Sequence, residues 1–270
     1  MVSTIVGRVE ADALDSIKTK RPDNMDSYDL VLQGLEYAKK GNVMKENTQK
    51  AVELFEKAIE LEPSYARAHA WRACTLSNLA DWEESPDPKI FENAFKSIQL
   101  ALELDSNEPE VHRIMGALKL WHERDHEMAR YHFEKARELC PSDVFIISRY
   151  AIMLIYFAEF DKALEELERA KRLDPFSHDL LFGPEAICHY WMDNPLEALQ
   201  TFKKVKVKKN FLFYIALANK KSGNNDKASE NLKEAYALTG MDNDSFVGSQ
   251  PFKDQEFTSK LKSELSNITV

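Results

Sequence analysis

The chain has 270 residues, of which 44% are hydrophobic and 10% aromatic, enough to bury a substantial core and too apolar for a disordered polymer. With 36 basic and 45 acidic side chains its net charge is −9, which argues against general binding to nucleic acid or an anionic membrane. Eight glycines and ten prolines disfavour a turn-dense β fold, and three scattered cysteines (Cys74, Cys140, Cys188) with no CxxC pair point to a reducing, cytoplasmic setting.

The head, residues 1–24, has an arginine and acids where a secretion signal needs a long apolar stretch. Residues 3–19 read instead as an amphipathic helix, followed by a Pro-Asp-Asn break and a helix start at Tyr28-Asp29. From there helices alternate. A first helix around Gly34 leads through GNVMKENTQ to AVELFEKAIELEP (51–63). The next, around Ala73, is separated by DWEESPDPK from NAFKSIQLALELDS; Pro86 and Pro88 demand a loop there. A helix around Gly116 then reaches HERDHEMARYH (122–132) and MARYHFEKARELCP (128–141). VFIISRYAIMLIYFA (144–158) is the most apolar stretch, but it contains Arg149 and falls short of the roughly 20 residues that span a bilayer. KALEELERAKRLDP (162–175) follows, then a helix around Ala186 and EALQTFKKV. Lys203, Lys204, Lys206, Lys208 and Lys209 read as lysines finishing that helix against its negative dipole end, or as a docking patch for an acidic partner. A helix around Ala216, KASENLKEAYAL and the amphipathic tail PFKDQEFTSKLKSELS complete the chain.

These segments repeat. Ala51, Ala129 and Ala163 align; four residues later stand Phe55, Phe133 and Leu167, then Ala58, Ala136 and Ala170, and finally Pro63, Pro141 and Pro175. Pro141 to Pro175 is 34 residues, and weaker copies carry Ala94, Ile98 and Ala101; Ala198, Phe202 and Val205; and Ala228, Leu232 and Ala235. Small and large residues alternating at helical spacing let two antiparallel helices approach closely, and the proline stops the second helix. One such hairpin cannot bury its apolar face, but a stack of them can.

On these residues the chain resembles a tetratricopeptide repeat protein. The resemblance implies an all-α fold: an α-solenoid of about six helical hairpins over 25–242, an extra N-terminal helix in 1–24 and a C-terminal capping helix in 243–270. The head, the ARAHAWRACTLSNLADWEESPDP insertion and the tail also resemble the tetratricopeptide region appended to bacterial class III adenylate/guanylate cyclases and to some winged-helix transcription regulators. No cyclase unit with metal-binding aspartates and no winged helix stands in these residues.

His122-Glu123-x-x-His126 matches the zinc-hydrolase signature, and His132 sits where an extended form places a third ligand. That chemistry needs both histidines on one continuous helix and a glycine where Ala129 stands, whereas the repeat register breaks the helix within the motif. The motif therefore marks the turn of the third hairpin. No catalytic residue, metal site or cofactor is expected.

Binding is expected on the concave face lined by the first helices. Trp121, Tyr156 and Trp191, spaced 35 and 35 residues apart, fall late in successive first helices and suit an apolar peptide or partner helix. Packing between hairpins is the competing role. Arg67, Arg113, Ser148, Arg149, Ile152, Ile187, Phe213 and Leu217 complete the candidate face; Arg113 and Arg149 could grip a carboxylate, or simply form salt bridges. The expected function is a non-catalytic scaffold that captures a protein or peptide partner, with the head (3–19) as a candidate internal occupant. The alternative is a regulatory or sensor fragment of a nucleotide cyclase or transcription regulator. The oligomeric state is left open.

Overall fold

The structure is a computed structural model describing residues 24–41, 44–80, 82, 87–176 and 178–269. The predicted helix at 3–19 lies outside the described residues, as does most of the DWEESPDPK insertion. The described residues contain helices and no strand, as the repeat pattern requires, and they divide into two compact units at Pro141/Ser142.

The N-terminal unit consists of three antiparallel hairpins. Helix α1 (Met25–Gly41) pairs with α2 (Lys45–Leu61), α3 (Ala66–Ala80) with α4 (Pro88–Leu104), and α5 (Pro109–Leu118) with α6 (His126–Leu139). Close approach is enforced where the small residues sit. A Cβ on Gly34 would lie 2.6 Å from Phe55 Cε1, and one on Gly116 would lie 2.9 Å from Phe133 Cδ2. Ala51, Ala58, Ala73, Ala94, Ala101, Ala129 and Ala136 are wholly buried. Each large partner (Phe55, Ile98, Phe133) removes a full side chain from water, worth roughly 1.5–3 kcal/mol.

Where the sequence places prolines, the second helices stop. Glu62 before Pro63 and Cys140 before Pro141 leave the helical region at φ −142° and −133°, since a proline crowds the residue before it. Asp105 adopts the same geometry at φ −150° with Ser106 in the proline's place. There the aspartate accepts a hydrogen bond from Asn107 N–H at 2.9 Å, so a local side-chain turn substitutes for the ring.

The C-terminal unit repeats the plan with α7 (Val144–Tyr156) and α8 (Phe160–Leu173), α9 (His178–Trp191) and α10 (Pro195–Phe202), α11 (Leu212–Lys221) and α12 (Asn225–Thr239). Helix α9 runs through Pro184, and beside it Gly183 admits the ring of Phe211 so closely that any Cβ would overlap it. The lysine run does not finish a helix, as expected, but follows one. Helix α10 ends at Phe202, and Val205 N–H bonds to Phe202 C=O at 3.2 Å as its side chain enters the core. The lysines occupy the connection that reaches a 3₁₀ turn at Lys209–Phe211. The tail forms two helices rather than one, α13 (Asn243–Ser249) and α14 (Gln255–Ser266). Pro251, lacking an N–H, falls in the non-helical link between them.

One backbone feature recurs in both units. The turn inside a hairpin passes through a left-handed residue at Arg124 (φ 57°), Ala158 (φ 60°), Asp193 (φ 61°) and Gly223 (φ 79°). Only the last is the residue type that adopts this conformation without cost.

Candidate functional site

In the N-terminal unit, the first-helix face is built from α3 and α5. Asp105 and Glu108 shape the entry to α5: Glu108 accepts a hydrogen bond from Glu110 N–H at 3.3 Å, and Pro109 occupies the first turn, where a missing N–H is harmless. That cap places Glu108 within 3.1 Å of Arg67 Nη2 on α3. One turn on, Glu110 accepts from Arg113 Nε at 2.7 Å, and the Arg113 guanidinium lies 5.0 Å from the centre of the Trp71 ring. Burial raises the Glu108 carboxyl above its ordinary range even with Arg67 beside it. Arg67 Nε is a buried donor with no acceptor among the described residues. Trp121 sits half-buried in the π-helical turn Lys119–Glu123 at the end of this face.

The C-terminal unit has the opposite character. Trp191, only 6% exposed, stacks on Phe160 at 6.1 Å and meets the edges of Phe252 at 5.3 Å and Phe257 at 5.2 Å. Tyr156 packs on Phe252 at 5.2 Å and donates its hydroxyl to Gln250 Oε1 at 3.1 Å. Phe213 lies flat on Phe246 at 4.0 Å, and Leu217 is buried in the same cluster. Tyr156, Trp191 and Phe213 each meet an aromatic ring of the tail: Phe252, Phe252 with Phe257, and Phe246. Ser148 is buried and donates to Phe145 C=O at 2.8 Å, while Arg149 lies 4.8 Å over the Phe145 ring. Ile152 and Ile187 are half-buried. Thus the 35-residue spacing places Tyr156 and Trp191 on equivalent helices, where both are covered by the tail.

The histidine motif separates in space. His122 lies in the π turn, Arg124 is left-handed, and His126 opens α6 behind the Asp125 cap. A His122 ring nitrogen is 2.6 Å from Ser77 Oγ, and its ring is 4.5 Å from Phe91. His132 instead faces the core, with Nδ1 3.0 Å from His112 Nδ1. His112 Nε2 lies 3.0 Å from Ser106 C=O, which can only accept, so Nε2 carries the proton and His112 Nδ1 accepts from His132. Burial, with His112 adjacent, pushes His132 down to about 4. Among the described residues no three metal-ligating side chains cluster.

Sequence reasoning missed this histidine pair, because residues 20 apart meet only through hairpin pairing. It also missed a cluster on α14. Glu264 takes a short hydrogen bond from Tyr190 OH and has Lys221 Nζ 3.4 Å from its other oxygen. Burial raises Glu264 to about 7. The signals for this contact were Pro251-Phe252 and the Leu261/Leu265 pair one helical turn apart.

Comparison with known proteins agrees with this architecture. Residues 54–85 match the tetratricopeptide repeat family. No curated protein matches the chain in sequence. Among solved structures, PilW, a widely conserved type IV pilus biogenesis factor, superposes with a TM-score of 0.58 at 18% identity, covering 81% of this chain and 96% of that one. A tetratricopeptide repeat protein from Parabacteroides merdae gives 0.54 at 15% identity over 95% and 91% of the two chains. The human IFIT1 dimer with PPP-AAAA gives 0.60 at 20% identity over 82% and 53%. The fold is that of an all-α tetratricopeptide repeat protein. Among the described residues no helix is long and apolar enough to cross a membrane, and none of the three cysteines forms a disulfide.

Proposed function

We propose that this protein is a non-catalytic interaction module that takes a peptide or helix of a partner protein on the first-helix face of residues 24–141. Trp121 supplies the apolar anchor, and Arg67 supplies the polar one. The observation that carries this reading is Arg67: its side chain stays 28% exposed while Glu108 holds it at 3.1 Å, which leaves guanidinium donors for a partner's carbonyl or carboxylate. Trp71 and the Arg113–Glu110 pair beneath it form a rigid floor whose charges are already matched, so binding need not desolvate an unpaired ion. A hydrolase reading lacks support because the π turn and left-handed Arg124 separate His122 from His126.

The test is to pan a random peptide library against the wild-type chain and a Trp121→Glu variant. Peptides enriched on the wild type should bind the variant at least tenfold more weakly. Equal enrichment on both proteins overturns the assignment of this face.

A further inference from the structure

The tail of the C-terminal unit behaves as a bound peptide would. Its link Gln250–Asp254 is non-helical, and Lys253 N–H donates to Tyr156 C=O at 2.9 Å, at the exposed carbonyl end of α7. Phe252 and Phe257, five residues apart, insert among Tyr156, Phe160 and Trp191, which come from two successive hairpins. Leu261 and Leu265 then bury one face of α14 in the same cluster. Polar contacts fix the register: Tyr156 OH to Gln250, Tyr190 OH to Glu264, and Lys221 to Glu264. Main-chain hydrogen bonding, paired aromatic anchors and an amphipathic helix on a groove are the features of peptide recognition by repeat surfaces.

We propose that the aromatic face of α7, α9 and α11 is a second peptide-binding surface, held in cis by residues 250–268. Its external partner carries the same pattern: two phenylalanines five residues apart, followed by an amphipathic helix with leucines four apart. This deepens the reading of first-helix faces as binding surfaces and rests on it. Tethered to the unit it occupies, the tail competes at an effective concentration on the order of millimolar, so a free segment of equal intrinsic affinity is excluded until the tail is weakened.

The probe is a fluorescein-labelled peptide of residues 249–269, titrated by anisotropy into the full chain and into its Phe252→Ala/Phe257→Ala variant. The variant should bind it at least tenfold more tightly than the wild type. Replacing both phenylalanines of the peptide by alanine should abolish the gain. Should the variant stay folded and still refuse the peptide, the proposal falls. Hydrogen exchange on the wild-type chain guards against a variant that does not fold. Amides of α14 should exchange by a local opening, faster than those of α11 and α12. If α14 exchanges only together with α11 and α12, the tail is an inseparable part of the core and the proposal also falls. Neither result touches Trp121, so library panning on the N-terminal unit can succeed where this experiment fails, and the reverse.

Discussion

The two units share a repeat frame and differ in what their first-helix faces present. In residues 24–141 the face carries two ion pairs, Arg67–Glu108 and Arg113–Glu110, and the Arg113 guanidinium lies over Trp71. In residues 142–269 it is aromatic, with Tyr156, Tyr190, Trp191 and Phe213, and the chain's own tail lies over it. The difference teaches that the repeat register specifies which positions line a face but not what that face meets. A non-repeating segment, the tail, covers a candidate binding surface and buries its aromatic residues.

The sharpest way to break this contrast is to remove one element of each face. Glu110→Met strips the carboxylate from Arg113, a guanidinium whose side chain is 4% exposed, and leaves a buried charge. The expected loss is about 3–5 kcal/mol of unfolding free energy, read by urea titration. Adding Arg113→Met should restore much of it. Trp191→Ala in the other unit should cost about 3–5 kcal/mol through the cavity it opens, and no second substitution of charge type should rescue it. If both units respond to charge neutralisation alike, the ionic–aromatic distinction is wrong.

Acid separates them next. His132 is held neutral, with its pKa pushed down to about 4, while an unfolded histidine titrates near 6.5. Its contribution is therefore fully present above pH 6.5 and is lost as pH falls towards 4. The groups around it, His112, Lys119 and Asp125, belong to the same unit. The expected loss between pH 6.5 and 4 is about 2–3 kcal/mol, and His132→Gln should remove that part of the pH dependence in a urea series.

Glu264 runs the other way. Its folded pKa, raised to about 7, lies above an unfolded value near 4.3, so its contribution is fully present below about pH 4.3 and fades as pH rises through 7. Tyr190, Lys221 and Lys260 face it or its partner lysine, and Lys221 moderates the loss. Between pH 5 and 8.5 the C-terminal unit should lose about 1–2 kcal/mol relative to Glu264→Gln, followed by fluorescence on thermal unfolding. A titration identical in the variant removes Glu264 as the cause.

The frame of this protein was legible because it is periodic. Ala51, Phe55 and Ala58 announce a hairpin at fixed spacing, and Gly34 and Gly116 mark where aromatic rings must enter. The faces were only half legible. Spacing put Trp121, Tyr156 and Trp191 on equivalent helix ends, but no period in the sequence connects Trp191 to Phe257 or His112 to His132. Those contacts are long-range and non-repeating, set by how the tail packs back onto α7 and α9 and by which side of α6 faces α5. The lysine run misled for a local reason: burial of Val205 outweighed continuation of α10.

The smallest effect tests what the units have in common. Arg124 and Ala158 occupy the same left-handed position of a hairpin turn, one in each unit, at φ 57° and 60°. A side chain there costs about 1–2 kcal/mol that glycine avoids, and glycine's freer unfolded chain returns about half of that. Arg124→Gly and Ala158→Gly should each stabilise by about 0.5–1 kcal/mol, a rise of a few degrees in Tm by calorimetry. Equal gains would place the strain in the repeat's backbone, independent of face chemistry. A gain in one unit alone would mean that the contacts of that turn, and not its φ angle, set its energy.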